Sequence, residues 1–115
     1  MENIIKAFKE KSTELAKALE EKRNACIGKQ DAIRDMWHST EQDIRYMEDN
    51  TNVFDVDRYD RMCDNTTLYS NINQRIEWQI DAIDAMTRAL AEIEAGLEEL
   101  DYQDIQIRLY EGRIK

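Results

Sequence analysis

No proline occurs in the 115 residues, and the only glycines are Gly28, Gly96 and Gly112. Average usage would give about 8 glycines and about 6 prolines at this length. These residues punctuate turns, so their scarcity argues against a sheet or barrel with many turns. Two cysteines, Cys26 and Cys63, are too few for a disulfide framework. No run approaches the roughly 18 apolar residues of a membrane span. At the N-terminus Ile4, Ile5 and Phe8 are followed at once by Lys9, Glu10 and Lys11, which does not suit a signal peptide. A cytoplasmic protein is therefore expected. The chain has 16 basic and 25 acidic residues, for a net charge of −9, which argues against a broad electrostatic grip on nucleic acid or anionic lipid.

The apolar residues that remain are periodic. In the second half, Met62, Tyr69, Ile76, Ile83, Leu90 and Leu97 recur at heptad position a. Ile72, Met86, Ile93, Leu100 and Ile107 stand at position d, with Asn65 and Gln79 as polar interruptions and Ile80 widening the stripe. Such a sustained a/d seam is a coiled-coil-like signal. The first half carries a weaker one. Ile5, Leu19, Cys26, Ile33 and Met47 share position a with Ser12 and Thr40. Met1, Phe8, Leu15 and Met36 share position d with Lys22, Lys29 and Asp43, and Trp37 and Ile44 sit beside the seam.

The expected fold is all-α: one helical domain over 1–115, folded as a long antiparallel two-helix hairpin that assembles into a helical-bundle oligomer. The first helix is expected over about 2–49, roughly 70 Å at 1.5 Å per residue. Gly28, followed by Asp31, could break it. A turn is expected over about 50–57, because Asn50, Asn52, Asp55 and Asp57 favour local side-chain hydrogen bonds. Asp55 or Asp57 is the expected cap of the second helix, about 58–111. Residues 105–110 read as helix or as a short strand, since Ile105, Ile107 and Leu109 alternate with polar neighbours.

Such a turn makes the numbers of facing residues sum to about 107, which is a register testable on paper. It sets Ala18 opposite Ala89 and Ala25 opposite Ala82. It also sets Lys6 near Asp101 and Lys9 near Glu98, with Lys11 and Lys17 in the neighbourhood of Glu92 and Glu94. Size and charge agree on this alignment. Exposed ion pairs choose a register rather than supply stability. The same register keeps Cys26 and Cys63 roughly 27 Å apart along the hairpin, whereas a disulfide needs Cα atoms within about 7 Å. Two buried, reduced thiols are expected.

Two helices bury one stripe each, so self-association is expected. The residues singled out as partner-binding are Trp78, Tyr102, Ile105, Leu109 and Tyr110, apolar side chains outside the seam, with Ile27 as a further candidate. No catalytic residue, cofactor or metal site is expected. His38 is the sole histidine; Asp35 and Glu41 lie one turn away, which makes either a surface histidine or a weak metal site. Glu77, Asp81 and Asp84 have the helical spacing of a carboxylate cluster but fall on the polar face. There is no glycine-rich phosphate loop.

The segment Phe54-Asp55-Val56-Asp57-Arg58-Tyr59-Asp60 resembles the opening of the last long helix in the UvsY family of T-even phage recombination mediators. The ending Ile105-Gln106-Ile107-Arg108-Leu109-Tyr110-Glu111-Gly112 is similar to the C-terminus of that family. The resemblance covers 54–112 and implies a helical oligomer that binds single-stranded DNA and helps load a recombinase. The region corresponding to that family's basic stretch is Glu41-Gln42-Asp43-Ile44-Arg45-Tyr46, largely acidic, so no DNA-binding residues carry over.

The function expected is thus a non-enzymatic oligomeric interaction protein, such as a phage-type inhibitor or adaptor. It would dock a partner protein through outward apolar residues and acidic faces. Two alternatives remain. One is a recombination or replication accessory on single-stranded DNA, using Arg108, Arg113 and Lys115. The other is a DNA mimic, using the carboxylates between Asp31 and Asp60.

Overall fold

A computed structural model describes residues 2–114, with side chains from 3 to 112. Helix α1 spans Glu2–Asp49, a single 3-10 turn spans Thr51–Val53, and helix α2 spans Val56–Ile114. No strand occurs among the described residues; Ile105–Tyr110 are helical. A lone strand would leave its backbone groups without a partner, whereas a helix satisfies them locally. α1 also runs unbroken through Gly28. A mid-helix glycine costs only about 1 kcal/mol relative to alanine, too little to interrupt a helix packed on both sides of the position.

The ends of the turn have identifiable causes. Asp55, not Asp57, caps α2: its Oδ1 accepts the Arg58 N–H at 3.2 Å, and its carbonyl accepts the Tyr59 N–H at 2.8 Å. α2 therefore begins two residues earlier than its periodicity suggests. At the end of α1, the Asn50 side-chain amide donates to the Tyr46 carbonyl at 2.9 Å, which satisfies one of the carbonyls that a helix end leaves free.

The chain forms two compact units, Arg23–Asp81 and a second made of Met1–Lys22 with Ala82–Lys115. In the first, the second half of α1 and the first half of α2 run antiparallel on either side of the turn. Met47, Met62 and Ile76 are its buried apolar side chains. In the second unit, the start of α1 lies against the latter part of α2. Ile5, Leu19 and Ile83 are buried there, together with Ser12. The expected register holds in each. Tyr59 meets Glu48 in the first unit, and Lys9 meets Glu98 at 2.8 Å in the second. The expected pairing of Lys6 with Asp101 does not form among the described residues, and Lys11 instead reaches Glu14 on its own helix at 3.9 Å.

One expectation needs correction: the helices do not meet through positions a and d. In α1 the a row is buried or half-buried throughout, including the polar Ser12 and Thr40, but the flanking row that joins it is e: Ala16, Arg23, Gln30, Trp37 and Ile44. α2 does the same with Thr66, Asn73, Ile80 and Glu94. At d, Phe8 and Ile72 are half-buried, while Leu15, Met36, Met86, Ile93 and Leu100 stay exposed. The charges on the d row of α1 weigh against turning it inward; the d row of α2 carries none from Asn65 to Ile107, and the inward e rows themselves hold Arg23 and Glu94 half-buried. Lys22, Lys29 and Asp43 are exposed at d of α1, and turning that row inward would strip three charges of water at a cost several times that of leaving a few aliphatic side chains wet.

The small residues at position g, among them Ala18, Ala25, Ala82 and Ala89, are consequently exposed rather than packed against each other. A Cβ built on Gly96 meets no atom of the described residues within 4 Å. Gly96→Ala should therefore raise stability by about 0.5–1 kcal/mol by removing backbone freedom from the unfolded chain, measurable by urea denaturation followed by circular dichroism.

Candidate interaction surfaces

Because a and e face inward, each side of the paired helices has its own chemistry, seen most clearly in the unit Arg23–Asp81. On the d side lies a groove of about 470 Å³ lined by Lys29, Ala32, Ile33, Met36, Ile72, Arg75, Ile76 and Gln79. Its floor is Ile33 with Ile76 at position a, and its walls are Met36 and Ile72. On the e side, a groove of about 460 Å³ is edged by Arg23, Arg34, Asp31, Glu77 and Asp81 around Ile27, Gln30 and Ile80. One side is apolar with a thin charged rim, and the other is a mixed-charge trough. Ile27, a candidate for outward contact, lies half-buried in that trough. Glu77 and Asp81 are exposed there, while Asp84, in the other unit, is half-buried.

The five partner-binding candidates are all exposed: Trp78 at 62%, with Tyr102, Ile105, Leu109 and Tyr110. They do not form one set. Trp78 belongs to the unit that holds the turn, the other four to the unit formed by the chain ends. Within that unit, Tyr102, Ile105 and Leu109 share one face of α2 by their spacing of three and seven, with Tyr110 to one side. Among the residues of the nucleic-acid alternatives, Arg108 is exposed on the last turns of α2. The side chains of Arg113 and Lys115 lie outside the described residues, as does Met1 of the first seam.

His38 makes a local contact rather than joining Asp35 and Glu41: the Gln42 amide donates to its Nε2 at 3.2 Å. Among the described residues, no group of three His, Cys, Asp or Glu side chains is placed to hold a metal. Both cysteines are free and half-buried. Cys26 Sγ lies 3.9 Å from Gln79 Oε1, and the Cys63 carbonyl accepts the Thr66 hydroxyl at 2.7 Å. No helix among the described residues is long and apolar enough to cross a membrane.

Near the turn, a polar clamp went unnoticed in the sequence. The Tyr59 hydroxyl donates to Glu48 Oε1 at 2.8 Å, and its ring packs on Phe54 with centroids 5.1 Å apart. The register already set residues 48 and 59 level, so only the attention to apolar positions hid it. The hydrogen bond to Glu48 and that carboxylate's charge, with the Cys63 thiol nearby, push the Tyr59 phenol up to about 12. A raised phenol contributes stability that is fully present below its ordinary value of 10.0 and is lost as the pH rises through about 12. Glu48→Gln should lower this titration toward 10, read by ultraviolet absorbance of the phenolate. Lys9 is likewise raised, first by its hydrogen bond to Glu98, then by the charges of Glu98 and Glu94.

Comparison with known protein families, with curated proteins and with solved structures returns no match.

Proposed function

We propose that this chain is a non-enzymatic helical interaction protein that self-assembles and, once assembled, docks a partner protein. The observation that carries the reading is the apolar d row left outside the helix pair. Met36, Met86, Ile93 and Leu100 are each close to half exposed, and no side chain among the described residues reaches full burial. A chain of 13.6 kDa folded as a compact monomer exposes about 6,600 Å². This one exposes 9118 Å². The difference, about 2,500 Å², is at the upper end of the roughly 1,000–2,500 Å² that each partner gives up in an obligate assembly.

Assembly through the uncharged d row of α2 leaves the patch of Tyr102, Ile105, Leu109 and Tyr110 as the docking site for a partner protein, with the acidic faces around it setting the partner's charge. An inhibitor or adaptor of the kind that small phage proteins supply fits this surface. The two unpaired thiols suit a reducing cytoplasm. Replacing Tyr102, Ile105 and Leu109 together by alanine should abolish capture of the partner from the source cell while leaving helix content and native mass unchanged. If capture persists, the patch is not the docking site.

A further inference from the structure

The turn between the helices carries side chains for which the fold of the chain gives no reason. We propose that this end of the unit Arg23–Asp81 is a second docking surface, one that enters an apolar pocket with a basic rim on a partner protein. It is separate from the patch at Tyr102, which belongs to the other unit, and does not rest on it.

The first observation is apolar exposure in a fixed turn. Asn50 closes α1 and Asp55 caps α2. Beside these polar ends stand Val53, Phe54 and Val56, all exposed. The 3-10 turn Thr51–Val53 buries no residue, so the chain itself does not call for valine there; turns ordinarily carry Gly, Pro, Asn, Asp or Ser. Val56 opens α2 with its side chain in water. Phe54 alone has an internal contact. Its ring packs on Tyr59 at 5.1 Å between centroids, and the Tyr59 hydroxyl is tied to Glu48 at 2.8 Å. The ring is thus held in place while 43% of the residue stays in water. An aromatic side chain that is already fixed loses little freedom when a partner covers it, which suits it to anchor an interface.

The second observation is charge, and it selects the partner. Residues 41–61 hold seven acidic and three basic side chains, a net charge of −4 with Arg45, Arg58 and Arg61 counted. Some of the acids have a role in the fold. Asp55 and Asp57 lie at the start of α2, where the helix dipole favours an anion, and Glu48 accepts from Tyr59. Asp49 has no such role. It is exposed in the last turn of α1, a turn without a basic residue, and makes no ion pair among the described residues. A carboxylate at that end opposes the dipole and weakens the helix. The side chains left without an internal reason are therefore apolar and acidic. Such a surface repels nucleic acid and anionic lipid. It complements a protein pocket whose apolar centre is ringed by lysine and arginine.

The test uses the full-length chain and a defined probe, a synthetic amphipathic helical peptide of leucine and lysine. The controls are the same peptide with glutamate for lysine, and oligolysine. Affinity is read by fluorescence anisotropy of the labelled peptide in low salt, and the place of binding by backbone amide shifts in nuclear magnetic resonance. The leucine–lysine peptide should bind and shift the amides of the turn, and neither control should match it. Val53→Ser with Val56→Ser should raise its Kd by about tenfold. Asp49→Lys should raise Kd by about tenfold as well, yet move the urea midpoint of the chain upward, because the new charge suits the dipole. Those opposite movements are what a residue kept for docking predicts and a residue kept for the fold does not. Absence of binding, shifts centred outside the turn, or variants that bind as the wild type does would overturn the proposal. Oligolysine binding as tightly as the peptide would overturn it too, since charge alone would then act, as in a mimic of DNA. A lowered midpoint for Asp49→Lys would give Asp49 a role in the fold and remove the charge argument. The patch at Tyr102 stands or falls by its own triple alanine variant.

Discussion

Ile76→Ala should cost about 3 kcal/mol of stability, a loss typical of deleting a buried isoleucine, and more than any substitution on the outward apolar face. Ile76 is 5% exposed and, with Met47 and Met62, makes up the buried apolar side chains of its unit among the described residues. Ile33 lies beside it on the floor of the groove, so truncation leaves a gap in the close-packed contact between the helices. The contrast that gives the measurement its force is Trp78→Ala. It removes a much larger side chain, yet in the monomeric chain it should change stability by less than about 0.5 kcal/mol, as exposed positions do. Urea denaturation at low protein concentration reads both as shifts of midpoint at constant slope. Equal losses from the two would mean that Trp78 is packed inside one chain.

The second large effect is on association. Met86→Glu combined with Ile93→Glu places two carboxylates on the exposed d row of α2 in the unit formed by the chain ends. Both positions are 49% exposed, so the isolated chain accommodates the charges in water and keeps its helices. An assembly that buries the row must desolvate them, and its Kd should rise by about a hundredfold or more. Because binding to a folded partner stabilises by mass action, the denaturation midpoint of the wild type should also rise with protein concentration, and that of this variant should not. A midpoint independent of concentration in the wild type would count against assembly through this row.

Most of the fold was legible because its signals are local and repeated. The a rows of both halves are the rows that the structure buries, down to the polar Ser12 and Thr40. The turn falls within the expected stretch, from Asn50 to Asp55, and Asp55 caps the helix that follows. Lys9 finds Glu98 as the expected register places it, although the small residues that suggested the same alignment are exposed. The rotation of the helices about their axes was not legible in the same way. Heptad spacing marks a and d as apolar, but it does not say that Lys22, Lys29 and Asp43 outweigh Leu15 and Met36 in deciding which flanking row turns inward. That balance depends on what Gln30, Trp37, Ile44 and Ile80 can offer at e, and it becomes visible only when both helices are in place. The exposed d row and the groove beside Arg75 follow from that rotation, which is why the periodicity pointed to outward patches at Trp78 and Tyr102 without the surface between Ile33 and Ile72. Gly28 stands in the sequence as a possible break, yet α1 runs through it as one helix over the expected span, because about 1 kcal/mol is small beside the packing on either side.

The native mass of the wild-type chain tests the central claim most directly. Sedimentation equilibrium over micromolar concentrations should give at least twice the chain mass of 13.6 kDa, in a species that keeps full helix content and dissociates on Met86→Glu with Ile93→Glu. A fully helical species of 13.6 kDa at every concentration would contradict it.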